Sequence, residues 1–135
     1  MNNMLGNPRV DLVYVVDADE ERWRMVKHAL NLNKVQFLKP QEARTVYFDE
    51  KVDVVIVATP TYTHTEIIKG ALKAGKAVFS EKPIAESVED TVDCYNVAAK
   101  MERSLLCAFN RRFDPAFKNV FRRVREGLYS KPNFN

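Results

Sequence analysis

Val52-Asp53-Val54-Val55-Ile56-Val57-Ala58 runs straight into Thr59-Pro60-Thr61-Tyr62-Thr63-His64, and Lys76-Ala77-Val78-Phe79-Ser80 runs into Glu81-Lys82-Pro83. Each is a short β-branched or aliphatic run that stops at a polar turn containing proline, which reads as a strand followed by a loop. Between them, about 64–74, Ile67, Ile68, Ala71 and Leu72 recur at helical spacing, with Gly75 at the C-terminal cap. Strand, helix and strand in this order predict a parallel pair with a right-handed crossover. The unbroken apolar character of 52–58 predicts a strand covered on both faces. Two polar loops then lie at the C-terminal ends of neighbouring strands, the edge at which open α/β sheets bind their ligands.

Working outward, Val10–Val16 is another nearly continuous apolar run, closed by Asp17, and it too predicts a strand covered on both faces. A helix follows over 19–30, with acidic residues in its first turn and Trp23, Val26 and Leu30 at helical spacing. Val35–Leu38 is a short strand stopped by Pro40, and 41–51 is a weak helix. Ser87, with Asp90 three residues on, is a variant capping box for a helix whose apolar stripe is Val88, Val92, Tyr95 and Ala99. Leu105–Phe109 is the last parallel strand. Asp114-Pro115 is a cap with proline at the first helical position, and Phe117, Val120, Phe121 and Val124 give that helix its buried face as far as Gly127. The class is therefore α/β, a doubly wound parallel sheet, without internal repeat, low-complexity segment or interdomain linker.

Composition narrows the function classes. A chain of 135 residues with 46% hydrophobic and 29% charged residues buries one core and reads as globular. The net charge of +3 is spread along helices, so a solvated surface is favoured over nucleic-acid binding. Cys94 and Cys107 fall in a helix and a strand without metal-ligand spacing, which reads as reduced core thiols and an intracellular, cytoplasmic location. No apolar run has the length of a membrane span, and the polar start does not resemble a signal peptide.

Three motifs now stand in order: Ala-Thr-Pro-x-x-x-His over Ala58–His64, Glu81-Lys82-Pro83 after a strand, and Phe109-Asn110-Arg111-Arg112-Phe113-Asp114-Pro115. Together they resemble the glucose-fructose oxidoreductase, inositol dehydrogenase and rhizopine-catabolism family (Gfo/Idh/MocA). The last motif is most similar to inositol 2-dehydrogenases, and the resemblance extends over about 8–132. It implies a Rossmann-like NAD(P)-binding domain of strand order 3-2-1-4-5-6, from which this sequence lacks the first strand and its Gly-x-Gly-x-x-Gly turn. Residues 1–7 resemble the tail of the helix that follows that turn. The missing strand is the central one, so the strands at Val10 and Val35 are expected to lose their partner on the side facing the strand at Val52. The domain division expected is 1–127, an incomplete nucleotide-binding domain, and 128–135, the start of a truncated C-terminal substrate domain.

The resemblance also implies roles. Asp17 matches the acidic residue that hydrogen-bonds the adenosine ribose and favours NAD over NADP by charge repulsion; capping the next helix is its other reading. Thr59, Pro60 and Thr61 would lie under the dinucleotide, unless they serve only the strand-to-helix turn. His64 would shape the nicotinamide side of that loop. Glu81 would contact the nicotinamide ribose. Lys82, before a peptide bond to Pro83 that is often cis in the family, would hold the substrate hydroxyl near the hydride-transfer centre as the catalytic cation. Its plain alternative is a solvated lysine before a turn. Asn110 and one arginine, assigned to Arg112 with Arg111 the alternative, would approach the cofactor.

The implied chemistry is hydride transfer between a cyclic polyol or sugar and nicotinamide, although the phosphate loop and the family's acid-base histidine have no counterpart here and this chain is expected to be inactive. No metal is expected, and a homo-oligomer built through the C-terminal domain would not be retained. The alternative is a non-catalytic remnant or splice form that acts as a binding module, a partner restoring the missing strand by edge addition. An unrelated flavodoxin-like domain fits the periodicity but leaves the three motifs unexplained.

Overall fold

The apolar runs form five short strands in two parallel sheets, described over residues 2–127 of a computed structural model. In chain order the elements are α1 (Asn2–Leu5), β1 (Tyr14–Val16), α2 (Glu20–Ala29), β2 (Gln36–Leu38), α3 (Ala43–Phe48), β3 (Val54–Val57), α4 (His64–Lys73), β4 (Ala77–Ser80), α5 (Val88–Lys100), β5 (Leu105–Cys107) and α6 (Pro115–Arg125). Short 3-10 turns at Pro40–Glu42, Thr61–Thr63 and Asn110–Phe113 lead into α3, α4 and α6. The segment 128–135, expected to begin a second domain, lies outside the described residues.

β1 pairs with β2 from Tyr14 opposite Gln36 to Val16 opposite Leu38. β4 lies between β3 and β5, with Val54 opposite Ala77 and Val78 opposite Leu105. All pairings are parallel, as the alternation of strands and helices predicts. Among the described residues no ladder joins the two sheets, which matches the expected gap beside β3.

Helix ends follow the local chemistry. Asp19 caps α2 by accepting the Glu21 and Arg22 N–H groups, each at 3.0 Å. Ser87 Oγ accepts the Asp90 N–H at 3.0 Å and donates to the Asp90 carboxylate at 2.9 Å, so the carboxylate closes the box through the hydroxyl and not through the backbone. Asp114 accepts the Ala116 N–H at 2.8 Å, with Pro115 at the first helical position. Gly75, at φ +81°, ends α4 with its N–H on the Leu72 carbonyl and that of Lys76 on the Ala71 carbonyl, a left-handed turn that glycine adopts without strain.

The core lies between β3, β4 and the helices α4 and α5. Ile68, Ala71, Leu72 and Cys94 have no exposed surface, and Val57, Val78, Ile84 and Ala98 close around them. Burial pushes the Cys94 thiol up from its ordinary range, as expected of an inert core cysteine. Lys69 on α4 pairs with Asp93 on α5 at the rim of this packing.

Several expected burials are corrected. Val54 and Ile56 of β3 are 52% and 47% exposed and Leu106 of β5 is 58% exposed, so this sheet is covered on one face only. The stripe Val88, Val92, Tyr95 and Ala99 faces outward, and α5 is buried instead through Cys94 and Ala98, flanked by half-buried Thr91 and Val97. Small side chains let α5 approach α4 closely, and the larger residues are left for the other side. Phe117, Val120, Phe121 and Val124 of α6 are likewise exposed, and Arg111 and Arg125 lie over the Phe117 and Phe121 rings at 4.9 and 4.8 Å. Val10–Val13 precedes the ladder and is not strand; there the Val13 carbonyl accepts the Gln36 N–H.

Asp49, after α3, ties the two sheets together. Its carboxylate accepts the Tyr14 hydroxyl of β1 at 2.6 Å, and its backbone carbonyl accepts the Lys76 ammonium just before β4 at 2.8 Å. The Tyr14 hydroxyl, and then the Lys51 N–H, hold the Asp49 carboxyl below the usual carboxylate range. A lowered folded value means that this stability is present above the unfolded carboxylate range and is lost as the pH falls through the folded one. Asp49→Asn should therefore melt below the parent chain at neutral pH, and thermal melts should show the gap closing on acidification.

Candidate functional site

The strands deliver polar residues at their C-terminal ends. The Asp17 N–H bonds the Leu38 carbonyl, the Glu81 N–H the Val57 carbonyl and the Ala108 N–H the Ser80 carbonyl, so each ladder ends where a loop begins. Asp17 follows β1, Thr59, Pro60 and Thr61 follow β3, Glu81, Lys82 and Pro83 follow β4, and Asn110 and Arg112 lie on the turn after β5.

The β3 and β4 loops are built as one unit. Thr63 Oγ1 donates to the Pro60 carbonyl at 2.8 Å and lies 2.7 Å from Thr59 Oγ1, winding the loop into the turn that starts α4. His64 is 1% exposed, with Nε2 2.9 Å from the Thr59 carbonyl and Nδ1 2.8 Å from the Pro83 carbonyl. The ring is thus a crosspiece between the two loops. Both facing atoms are acceptors, whereas a neutral imidazole has a single N–H, so the ring donates to one carbonyl at a time unless it is protonated. With both nitrogens directed at the backbone, neither is open to a reacting proton.

Lys82 is exposed beside this crosspiece, its N–H on the Glu81 carboxylate at 3.2 Å, and the Lys82–Pro83 peptide is cis. The arrangement sets an ammonium and a carboxylate at the open end of the β3–β4 pair. Asn110, Arg111 and Arg112 are all exposed, and the Arg112 guanidinium lies 5.6 Å from the Phe113 ring centroid. No hydrogen bond or ion pair among the described residues joins this turn to the Glu81–Pro83 loop.

Asp17 stands at the end of the other sheet. One carboxylate oxygen takes the Asp19 N–H at 2.9 Å, and the other lies 3.6 Å from Arg22. Its side chain is 35% exposed, so an acceptor remains open to solvent. Asp19, and not Asp17, caps α2. Arg22 was not singled out in the sequence; a cation in the first turn of the helix behind Asp17 is the feature that marks it.

This donor set suits the ends of a dinucleotide: a carboxylate for ribose hydroxyls after β1, and an ammonium with a carboxylate after β4. None of the chain's glycines, Gly6, Gly70, Gly75 and Gly127, stands in these loops, so they hold no glycine turn for a pyrophosphate. Among the described residues no group of three or more His, Cys, Asp or Glu could hold a metal, and no helix is long and apolar enough to cross a membrane.

Residues 1–109 match the family GFO_IDH_MocA, described as "Oxidoreductase family, NAD-binding Rossmann fold". The chain is 41% identical over 125 residues to the inositol 2-dehydrogenase of Rhizobium meliloti, covering 90% of this chain and 35% of that protein. It is 34% identical over 133 residues to the scyllo-inositol 2-dehydrogenase (NAD(+)) of Bacillus subtilis, covering 97% of this chain and 37% of that one. It therefore spans little more than a third of the curated relatives it matches. Apo scyllo-inositol dehydrogenase from Lactobacillus casei superposes with a TM-score of 0.78 at 25% identity, covering 94% of this chain and 37% of that one. A structure of that enzyme with bound NAD(H) and scyllo-inositol shares the fold, with a TM-score of 0.79 at 24% identity and coverage of 96% and 38%.

Proposed function

The chain belongs to the Gfo/Idh/MocA oxidoreductase family, with its NAD-binding Rossmann fold, and from that premise we propose that it forms cofactor-binding structure of an NAD-dependent dehydrogenase acting on a cyclic polyol such as inositol. One observation carries the reading: His64 joins the Thr59 and Pro83 loops at the C-terminal ends of β3 and β4, leaving Lys82 and Glu81 exposed at that edge. When bound, the nicotinamide supplies the hydride acceptor. Asp17 accepts the adenosine ribose hydroxyls, while Thr59, Pro60 and Thr61 give the dinucleotide a surface of backbone and small hydroxyls. Glu81 takes the nicotinamide ribose. Lys82 would hold the substrate hydroxyl and stabilise the developing alkoxide, while the hydroxyl proton passes to a base that these residues do not supply. Asn110 and Arg112 border the cofactor on the β5 side.

The test is a thermal melt followed by circular dichroism, with and without millimolar NAD. A cooperative transition that NAD raises is expected, since ligand at a hundred times its dissociation constant adds about 2.7 kcal/mol. A melt indifferent to NAD would overturn the reading. Turnover by these residues alone is not expected, because His64 is buried and His28, the other histidine, lies exposed on α2. NADH formation from inositol at the rate of a relative assayed beside it would refute that part.

A second reading, a non-catalytic module that binds a partner strand, has one observation in its favour. β3 is the edge of its sheet, and Val54 and Ile56 beside that edge are half exposed. The NAD-indifferent melt is the outcome that favours it.

A further inference from the structure

Helix α6 combines an exposed apolar face with the strongest concentration of positive charge in the chain. Residues 109–127 hold six basic side chains, from Arg111 to Arg125, against two acidic ones, Asp114 and Glu126. That local excess of four positive charges exceeds the +3 of the whole chain. At about 100° of turn per residue, Phe117, Val120, Phe121 and Val124 share one narrow face of the helix. They are between 48% and 59% exposed. Lys118 and Arg125 border that face on one side and Arg123 on the other, with Arg122 behind. The Arg125 guanidinium already lies over the Phe121 ring, so cation and ring can share a boundary between a polar and an apolar phase, ring inward and charge outward. A second copy of α6 on this face would set the same cations against one another, which opposes self-association. A surface of fixed anions does the reverse, and a fluid bilayer needs no groove matched to these four side chains.

We propose that α6 docks on the surface of an anionic lipid bilayer. The helix lies in the plane of the interface, with the phenylalanines and valines at the acyl boundary and Lys118, Arg122, Arg123 and Arg125 among the headgroup phosphates. It does not span: 11 residues rise about 16 Å, half the thickness of the hydrocarbon layer. None of these eight side chains has a part in the dinucleotide reading above, so the two stand or fall separately.

Co-flotation of the full chain with lipid vesicles tests it, using phosphatidylcholine alone and phosphatidylcholine with about a third of phosphatidylserine. The parent should float with the serine-containing vesicles at low salt and little with phosphatidylcholine alone, and added salt should weaken the binding. The double variant Arg122→Gln, Arg123→Gln should lower partitioning about tenfold or more, and Phe121→Ser about tenfold. All three residues are exposed, so circular dichroism should show the parent fold in both variants. Lys27→Gln with Lys100→Gln is the control, since it removes the same charge from exposed positions on α2 and α5 and should cost about twofold at most. Equal losses in the two double variants would mean that net charge alone draws the chain to the vesicles, and the proposal falls. It falls too if the chain floats equally with both vesicle types or with neither. Retention on immobilised polyglutamate without flotation would overturn it in favour of an acidic protein partner.

Discussion

Leu72→Ala is expected to cost about 2–5 kcal/mol of folding stability, the range for deleting a fully buried leucine side chain. Leu72 has no exposed surface and sits on α4 in the cluster with Val57, Ile68, Val78 and Cys94. Alanine leaves a cavity that neighbours in two strands and two helices can close only in part. Domains of this size are stable by about 5–15 kcal/mol, so the loss removes a large share of the total. Urea unfolding followed by circular dichroism should show a lower midpoint with an unchanged slope. Val88→Ala is the control: Val88 is 74% exposed and its truncation should stay within about 0.5 kcal/mol. Equal costs for the two would mean that the core is not where α4 meets β3 and β4. Should Leu72→Ala not fold at all, Ile68→Val in the same cluster offers a step of about 0.5–1.5 kcal/mol.

Replacing His64 should cost nearly as much, for a different reason. His64→Ala removes a buried ring and also strips the Thr59 and Pro83 carbonyls of a shared partner, for about 2–4 kcal/mol in all. His64→Phe separates the two contributions, because the ring volume is kept while both nitrogens are lost. It should still cost about 0.5–1.5 kcal/mol, the net contribution of a hydrogen bond to these part-buried carbonyls. Amide exchange at Glu81, Lys82 and Ile84 should quicken in both variants. A His64→Phe chain as stable as the parent would show that the ring acts by volume and does not join the loops through its nitrogens.

The parallel pairing of β3, β4 and β5 is legible in the chain because each apolar run ends at a polar turn and a helix intervenes. The caps at Asp114, Ser87 and Gly75 are legible because capping depends on a few adjacent residues. Burial is less so. Periodicity identifies an apolar face but not what it meets: the valines and tyrosine of α5 make the stronger stripe, yet the contact with α4 goes through Cys94 and Ala98, whose small size admits a close approach. The same limit explains α6, where among the described residues Arg111 and Arg125 lie over Phe117 and Phe121. At the site, the placement of Lys82 at a strand end follows from its motif, and that of Asp17 from the apolar run that it closes. The His64 bridge does not, because one of its partners is a backbone carbonyl nineteen residues away. Arg22 was missed because its significance lies in reaching two carboxylates at once.

Val54 and Ile56 on a parallel strand paired along one edge only also bear on how this chain behaves in a crowded solution. A strand edge offers unused N–H and C=O groups to any extended backbone, and an apolar face beside it rewards the encounter. Proteins usually guard such edges with lysine, proline or a bulge, and the run Val54-Val55-Ile56-Val57 contains none of these. Its flanks do carry gatekeepers, Lys51 and Asp53 before the strand and Pro60 after it. Aggregation resistance therefore rests on residues outside the strand, and a charge lost at Lys51 or Asp53 would be felt first in solubility, before any change in the folded core.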